Sequence, residues 1–142
     1  MTLTADRRAE LLGGCRLFQG LDAAGLAAVA AAAVEVDFAA ERVIARQGEI
    51  GTGFFVIAEG RVRVVRDGAV IARLGPGEFF GELSLLDGAP RNAQVVAEVP
   101  TRCLALATWD FERVLRDQPG VALSVLRVVV GRLREATADH RT

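Results

Sequence analysis

The sequence has few of the residues that define several common protein classes. It contains two cysteines, Cys15 and Cys103, without CxxC spacing, and one histidine, His140, in a polar tail. Two such cysteines argue against a disulfide framework and predict reduced core thiols in a cytoplasmic protein. One histidine excludes the histidine-rich ligand set of a cupin-like metalloenzyme. Since no nucleophile lies near a base either, we expect neither an enzyme nor a metal or cofactor site.

Long apolar runs and an excess of charge are also missing. The Ala-rich run over residues 23–34 is too short to span a bilayer, and the charged residues 1–14 do not resemble a signal peptide, so we expect no membrane partner. With 17 basic and 18 acidic residues the net charge is -1, which gives no electrostatic reason to bind nucleic acid. Because the last helical pattern reaches the end of the sequence, we expect no DNA-reading module after it.

The hydrophobic periodicity divides the chain into three regions of one expected domain, residues 1–142. Helical spacing covers residues 1–33, short alternating or β-branched runs cover 34–107, and helical spacing returns over 108–142. The predicted fold class is α+β: an antiparallel, jelly-roll-like β-roll of about eight strands, with N-terminal helices, one short helix within the roll and two C-terminal helices. The individual strand candidates are residues 34–38, 42–45, 54–58, 61–66, 69–74, 93–97 and 103–107.

Turn and capping residues set the expected boundaries of these elements. Asp67-Gly68 joins two strand candidates and suits a type I′ hairpin turn. Asp22 and Thr108 are the expected N-caps of helices. Pro119-Gly120 predicts a break, followed by a terminal helix over residues 121–138. The apolar surface of that helix is wider than one stripe and needs a partner to cover it.

A segment with ligand-binding chemistry interrupts the strand pattern between Phe79 and Gln94. Enough residues for one helical turn are followed by Gly88, Pro90 and then Arg91. The first amides of a helix have no partners within it and attract anions, and an arginine adds a charge-assisted contact. The sequence therefore predicts an anion site here.

The residues of this segment, FGELSLLDGAPRNAQ over 80–94, resemble the phosphate-binding cassette of cyclic nucleotide-binding domains. Further landmarks of that family follow in the expected order, and the resemblance covers residues 18–133. These landmarks are Gln47-Gly48-Glu49, residues 54–60, Leu74-Gly75-Pro76-Gly77 and Trp109-Asp110-Phe111. The resemblance implies an intracellular sensor that binds a cyclic purine nucleotide, cyclic AMP first and cyclic GMP as the alternative.

The resemblance also implies a role for each site residue. Arg91 and the backbone amides of Ser84 and Asn92 would hold the cyclic phosphate, and the Glu82 carboxylate with the Gly81 amide would hold the ribose. The remaining ligand-binding positions are Val64 and Leu83 at the base, Ala93 at the end of the cassette, and Arg132 on a terminal helix that would act as a lid. That helix would move on binding and could contact a second copy of the chain or a separate effector protein.

Two positions depart from the family pattern. Thr52 stands where members often have an acidic residue that orients the phosphate arginine, and its hydroxyl can accept a hydrogen bond but neutralises no charge. Asn92 stands where Ala, Ser or Thr is usual, which leaves the choice of purine open. The alternative function is a member without ligand that serves as a protein-interaction module.

Overall fold

Short β-strands dominate the middle of the chain. The computed structural model describes residues 3–15, 18–49, 53–81 and 91–137, and of Arg132 only the main chain. The strands in this part are β1 (Val34–Phe38), β2 (Val43–Ala45), β3 (Gly53–Glu59), β4 (Val62–Arg66), β5 (Ala69–Leu74), β6 (Phe79–Phe80), β7 (Gln94–Ala97) and β8 (Thr101–Ala107). They form two four-stranded sheets of order β1-β8-β3-β6 and β2-β7-β4-β5, in which every pairing is antiparallel. The predicted antiparallel β-roll is confirmed.

Helices precede and follow the strands. They are α1 (Ala5–Gly13), α2 (Ala23–Ala32), α3 (Thr108–Asp117) and α4 (Pro119–Ala136). Asp22 caps α2 as predicted, because its Oδ1 accepts a hydrogen bond from the Gly25 amide at 2.8 Å. The predicted helix of the cassette lies outside the described residues.

The alternation of side chains along β3 separates two cores. Phe54 and Val56 face the helices and pack with Phe18 of the N-terminal region and Phe111 of α3. Ile57, one residue along, faces the other sheet. The core between the sheets consists of Ala45, Ile57, Val62, Phe80, Val95 and Cys103. Each fully buried large apolar side chain contributes about 1.5–3 kcal/mol, so both cores stabilise the roll.

The β4–β5 hairpin has the predicted turn. Asp67 and Gly68 have φ values of 52° and 83°, the positive pair that a type I′ turn requires. Both cysteines are buried and neither forms a disulfide, as expected of core thiols. Burial raises the pKa of the Cys103 thiol to about 12, so this thiol stays protonated at neutral pH.

One predicted N-cap was wrong, and the predicted start of the terminal helix was two residues late. Thr108 is the first residue of α3 instead of its N-cap; the N-cap is Ala107, and the Thr108 hydroxyl is buried without a hydrogen-bond partner. This shift arises because β8 continues to Ala107, where it pairs with Gly53. The predicted break between the two C-terminal helices is confirmed, because α3 ends at Asp117 and Gln118 separates it from α4. The second helix begins at Pro119, two residues earlier than expected, where the missing N–H of proline costs nothing.

The strand boundaries needed smaller corrections. β6 was not predicted, since a two-residue strand shows no periodicity; it exists because Phe79 and Phe80 pair with β3. β7 begins at Gln94, one residue later than expected, and β8 begins at Thr101, two residues earlier.

Among the described residues no helix has the length and apolar character that a bilayer crossing requires.

Candidate functional site

Arg91 lies where the chain re-enters the described part of the structure, three residues before β7. Its Nη2 donates a hydrogen bond to the carbonyl oxygen of Gly53, at the start of β3, over 2.7 Å. Its main chain is held as well: the Arg91 amide donates to the Glu49 carbonyl, and the Arg91 carbonyl accepts from the Gly48 amide, each at 2.8 Å. Arg91 is therefore held both at its main chain and at the guanidinium of its half-buried side chain.

Gly81 is placed against the Arg91 guanidinium. Its φ is 93°, which an L-residue rarely adopts, and a Cβ at this position would meet Arg91 Nη1 at 2.7 Å and the Gly53 carbonyl oxygen at 2.9 Å. A side chain does not fit there without moving the main chain of Gly53. The family resemblance implied that the Gly81 amide holds the ribose, but it did not show that Gly81 also makes room for Arg91.

The residues after Arg91 lead into the sheet. Asn92 is exposed, and its carbonyl oxygen accepts a hydrogen bond from Arg66 Nε at 3.0 Å. Ala93 is buried at the start of the inner core. The main chain at the end of the cassette is therefore held from two sides, by β4 and by the Gly48–Glu49 loop.

Val64, the predicted residue at the base, lies on β4 opposite Val95 of β7 and Ala72 of β5. It is half-buried and packs against the core between the sheets. The structure thus brings Gly81 and Arg91 together, with Asn92 and Ala93 following directly. Arg132 belongs to α4, but its side chain, like the whole of Thr52, Glu82, Leu83 and Ser84, lies outside the described residues.

A cavity of about 510 Å³ opens beside Arg91. Its apolar wall comes from β1, β2, β3 and β8, including Val36, Ala45 and Phe55, and its polar lining includes Arg46 and Glu49. This volume is within the range of small-molecule sites, about 300–1,000 Å³. Val64 and Ala93 do not line it.

Sequence reasoning missed the residues that hold Arg91. The Gly53 carbonyl carries no side-chain signal. Gly48 and Glu49, whose main-chain groups bond to that of Arg91, were visible only as part of a family landmark. Arg66, which bonds to the Asn92 carbonyl, was visible only as part of a strand candidate. Within the described ranges, no group of three His, Cys, Asp or Glu side chains could hold a metal ion.

Similar proteins identify the class to which this fold and site belong. The family model "Cyclic nucleotide-binding domain" matches residues 35–118, more than half of the chain. The chain belongs to the cyclic nucleotide-binding domain family, as the cassette residues predicted.

Three relatives illustrate the range of the family. A cyclic AMP receptor protein of Thermus thermophilus is 40% identical over 98 residues, 66% of this chain and 45% of the relative. A cyclic nucleotide-gated potassium channel of Rhizobium etli is 35% identical over 126 residues, 89% of this chain and 35% of the channel. The crystal structure of the N-terminal domain of a Streptomyces coelicolor transcriptional regulator superimposes with a TM-score of 0.83 at 34% identity, covering 93% of this chain and 96% of that domain. The chain spans less than half the length of the first two relatives.

Proposed function

We propose that this chain is a regulatory domain that binds a cyclic purine nucleotide, cyclic AMP in the first place, and changes the position of its C-terminal helix on binding. The observation that supports the proposal is the position of Arg91. In a chain of this family, an arginine at the end of the cassette is held on the Gly53 carbonyl and against Gly81. Two buried cysteines that form no disulfide support a cytoplasmic site of action.

The cyclic phosphate is assigned to Arg91 together with the backbone amides of Ser84 and Asn92. A singly charged phosphodiester needs a fixed array of donors, and the planar guanidinium supplies one that a lysine cannot match. With five N–H groups, the guanidinium can serve a carbonyl and an anion at once. Fixing Arg91 before the ligand arrives lowers the entropy cost of binding.

The sugar and the base are assigned to the surroundings of the phosphate. Glu82 and the Gly81 amide would bind the ribose, while Val64, Leu83 and Ala93 would contact the rest of the nucleotide from the apolar side. The name of the Thermus thermophilus relative favours cyclic AMP. Asn92 can donate and accept hydrogen bonds, which keeps cyclic GMP as the alternative.

The regulatory output is assigned to α4, the helix that contains Arg132, which would contact the ligand. One face of this helix packs on the core through Val121 and Val125. The other face carries an exposed apolar stripe of Leu123, Leu126, Val130 and Leu133. Such a stripe fits a helix of a second copy or of an effector protein, and the nucleotide would change which surface α4 covers. Residues 1–142 would act as one unit, without catalysis.

Arg91→Ala tests the proposal. Loss of a charge-assisted hydrogen bond to the phosphate costs about 1.5–3 kcal/mol, so the dissociation constant of cyclic AMP should rise about 10- to 100-fold. Isothermal titration calorimetry with cyclic AMP and cyclic GMP measures this effect and the purine preference. The matched control is Arg116→Ala, which removes an exposed arginine of α3.

The result that contradicts the proposal is equal affinity of the parent and a folded Arg91→Ala variant. If the parent binds neither nucleotide, the chain is instead an interaction module of this fold. Sedimentation velocity of the same samples, free and saturated, determines whether two copies associate.

A further inference from the structure

Three segments that are distant in the sequence meet around the main chain of Arg91. The first is the loop after β2, which contains Gln47 and Gly48. The second is the end of β4 and its turn, Arg66 and Asp67. The third is Arg91 with Asn92, at the end of the cassette.

Hydrogen bonds join these segments into a closed ring. Gly48 donates its amide proton to the Arg91 carbonyl at 2.8 Å, and Arg66 Nε donates to the Asn92 carbonyl at 3.0 Å. Gln47 and Asp67 complete the ring with two reciprocal bonds. Gln47 Nε2 donates to Asp67 Oδ1 at 2.9 Å, and the Asp67 amide donates to Gln47 Oε1 at 3.1 Å.

Two hydrogen bonds between the same two residues form the Gln47–Asp67 link of this ring. Both residues are exposed, so these bonds compete with water and contribute little to global stability. Their position gives them another effect. Without them, the Gln47 loop and the hairpin turn would hold Arg91 and Asn92 independently of each other.

We propose that Gln47 and Asp67 are positioning residues. Their paired hydrogen bonds fix the Gln47 loop and the β4–β5 turn around the Arg91 main chain, and so hold Arg91 in the position in which it binds the phosphate. This inference rests on the proposed function. The two residues need not touch the nucleotide. If opening the pair reduces the fraction of molecules with Arg91 in its binding position, the apparent affinity falls by that fraction.

Three variants test the pair. Gln47→Glu replaces the Nε2 donor by a carboxylate beside the Asp67 carboxylate, and should weaken cyclic AMP binding about 3- to 10-fold with little change in the urea unfolding midpoint. Asp67→Asn retains an acceptor and tolerates the positive φ of the turn, so it should bind like the parent. The double variant places an amide donor opposite the new carboxylate and should recover most of the lost affinity.

Affinity measured by calorimetry is combined with residue-resolved amide exchange of the ligand-free proteins. Protection of the Gly48 and Arg91 amides should fall in Gln47→Glu and return in the double variant. Parent-like affinity and protection in Gln47→Glu, or no recovery in the double variant, would overturn the inference. If the parent binds no cyclic nucleotide, the proposed function fails, whereas the exchange series still decides whether the pair fixes the Arg91 main chain.

Discussion

Gly77 and Gly81 have similar positive φ angles but different surroundings. Their φ values are 87° and 93°. A Cβ on Gly77 would meet no atom within 4 Å, whereas one on Gly81 would lie too close to Arg91 and to the Gly53 carbonyl. At the residue scale, this pair separates the cost of backbone strain from the cost of crowding the site.

Alanine at each glycine makes that comparison. Both substitutions place an L-residue in the left-handed region, which costs roughly 1–2 kcal/mol. Gly81→Ala must also displace Arg91 or Gly53, so we expect a larger loss of stability and, in addition, at least about a tenfold loss of cyclic AMP affinity. Urea unfolding and calorimetry measure the two effects. Equal affinities of Gly77→Ala and Gly81→Ala would show that Gly81 does not limit the position of Arg91.

The helix α4 has two apolar faces, and this is the main feature at the scale of single elements. Val121 and Val125 are buried, and Val128 and Val129 pack at the edge of the same core. The stripe from Leu123 to Leu133 on the opposite side has spacings of three, four and three residues, the pattern of a helix that packs on another helix. Under the proposed function, nucleotide binding changes which surface α4 covers.

Amide hydrogen exchange can detect a change in the position of α4 directly. If the nucleotide alters where α4 rests, protection over residues 121–134 should differ between the free and the cyclic AMP-saturated protein, with a coupling of about 1–3 kcal/mol. Arg91→Ala at the same nucleotide concentration is the control and should show a smaller change in protection, because less of this variant is occupied. Identical protection of the parent in both states would exclude α4 as the moving element.

Ion pairs on the surface connect strands across the whole molecule. Glu98, in the turn between β7 and β8, accepts hydrogen bonds from Arg61 and Arg73, each at 2.8 Å. Hydrogen bonding by these two arginines holds the pKa of Glu98 below its ordinary value. Arg102 lowers the pKa of Asp37 in the same way, and Arg63 that of Glu41.

These shifts predict how stability depends on pH. A carboxyl group whose pKa is lower in the folded state stabilises the fold above its unfolded pKa, about 4.3 for Glu, and this contribution is lost as the pH falls through the lower folded value. Glu98→Gln should therefore be less stable than the parent at pH 7 and should lose less stability between pH 7 and pH 3.

Urea unfolding at the two pH values measures the difference. Glu112→Gln is the matched control, because its carboxylate lies 3.6 Å from Arg116 on the exposed side of one helix, and it should follow the parent. An unchanged acid dependence in Glu98→Gln would show that the Arg61–Glu98–Arg73 contact contributes nothing to the stability of the folded chain.

The sequence by itself determined the features that short segments encode. Alternating apolar residues predicted the strands, Asp67-Gly68 predicted its hairpin turn, and the residues from Phe80 to Gln94 identified the family. Each of these signals lies within a few neighbouring residues, where side-chain period and backbone preference act directly.

The tertiary structure alone decided what depends on contacts between distant segments. Arg91 meets Gly53 across 38 positions of sequence, and Gln47 meets Asp67 across 20. β6 exists only because β3 pairs with it, and Thr108 is not a cap because β8 continues to Ala107. Local patterns cannot specify such contacts, since the position of one segment relative to another depends on the packing of both sheets together.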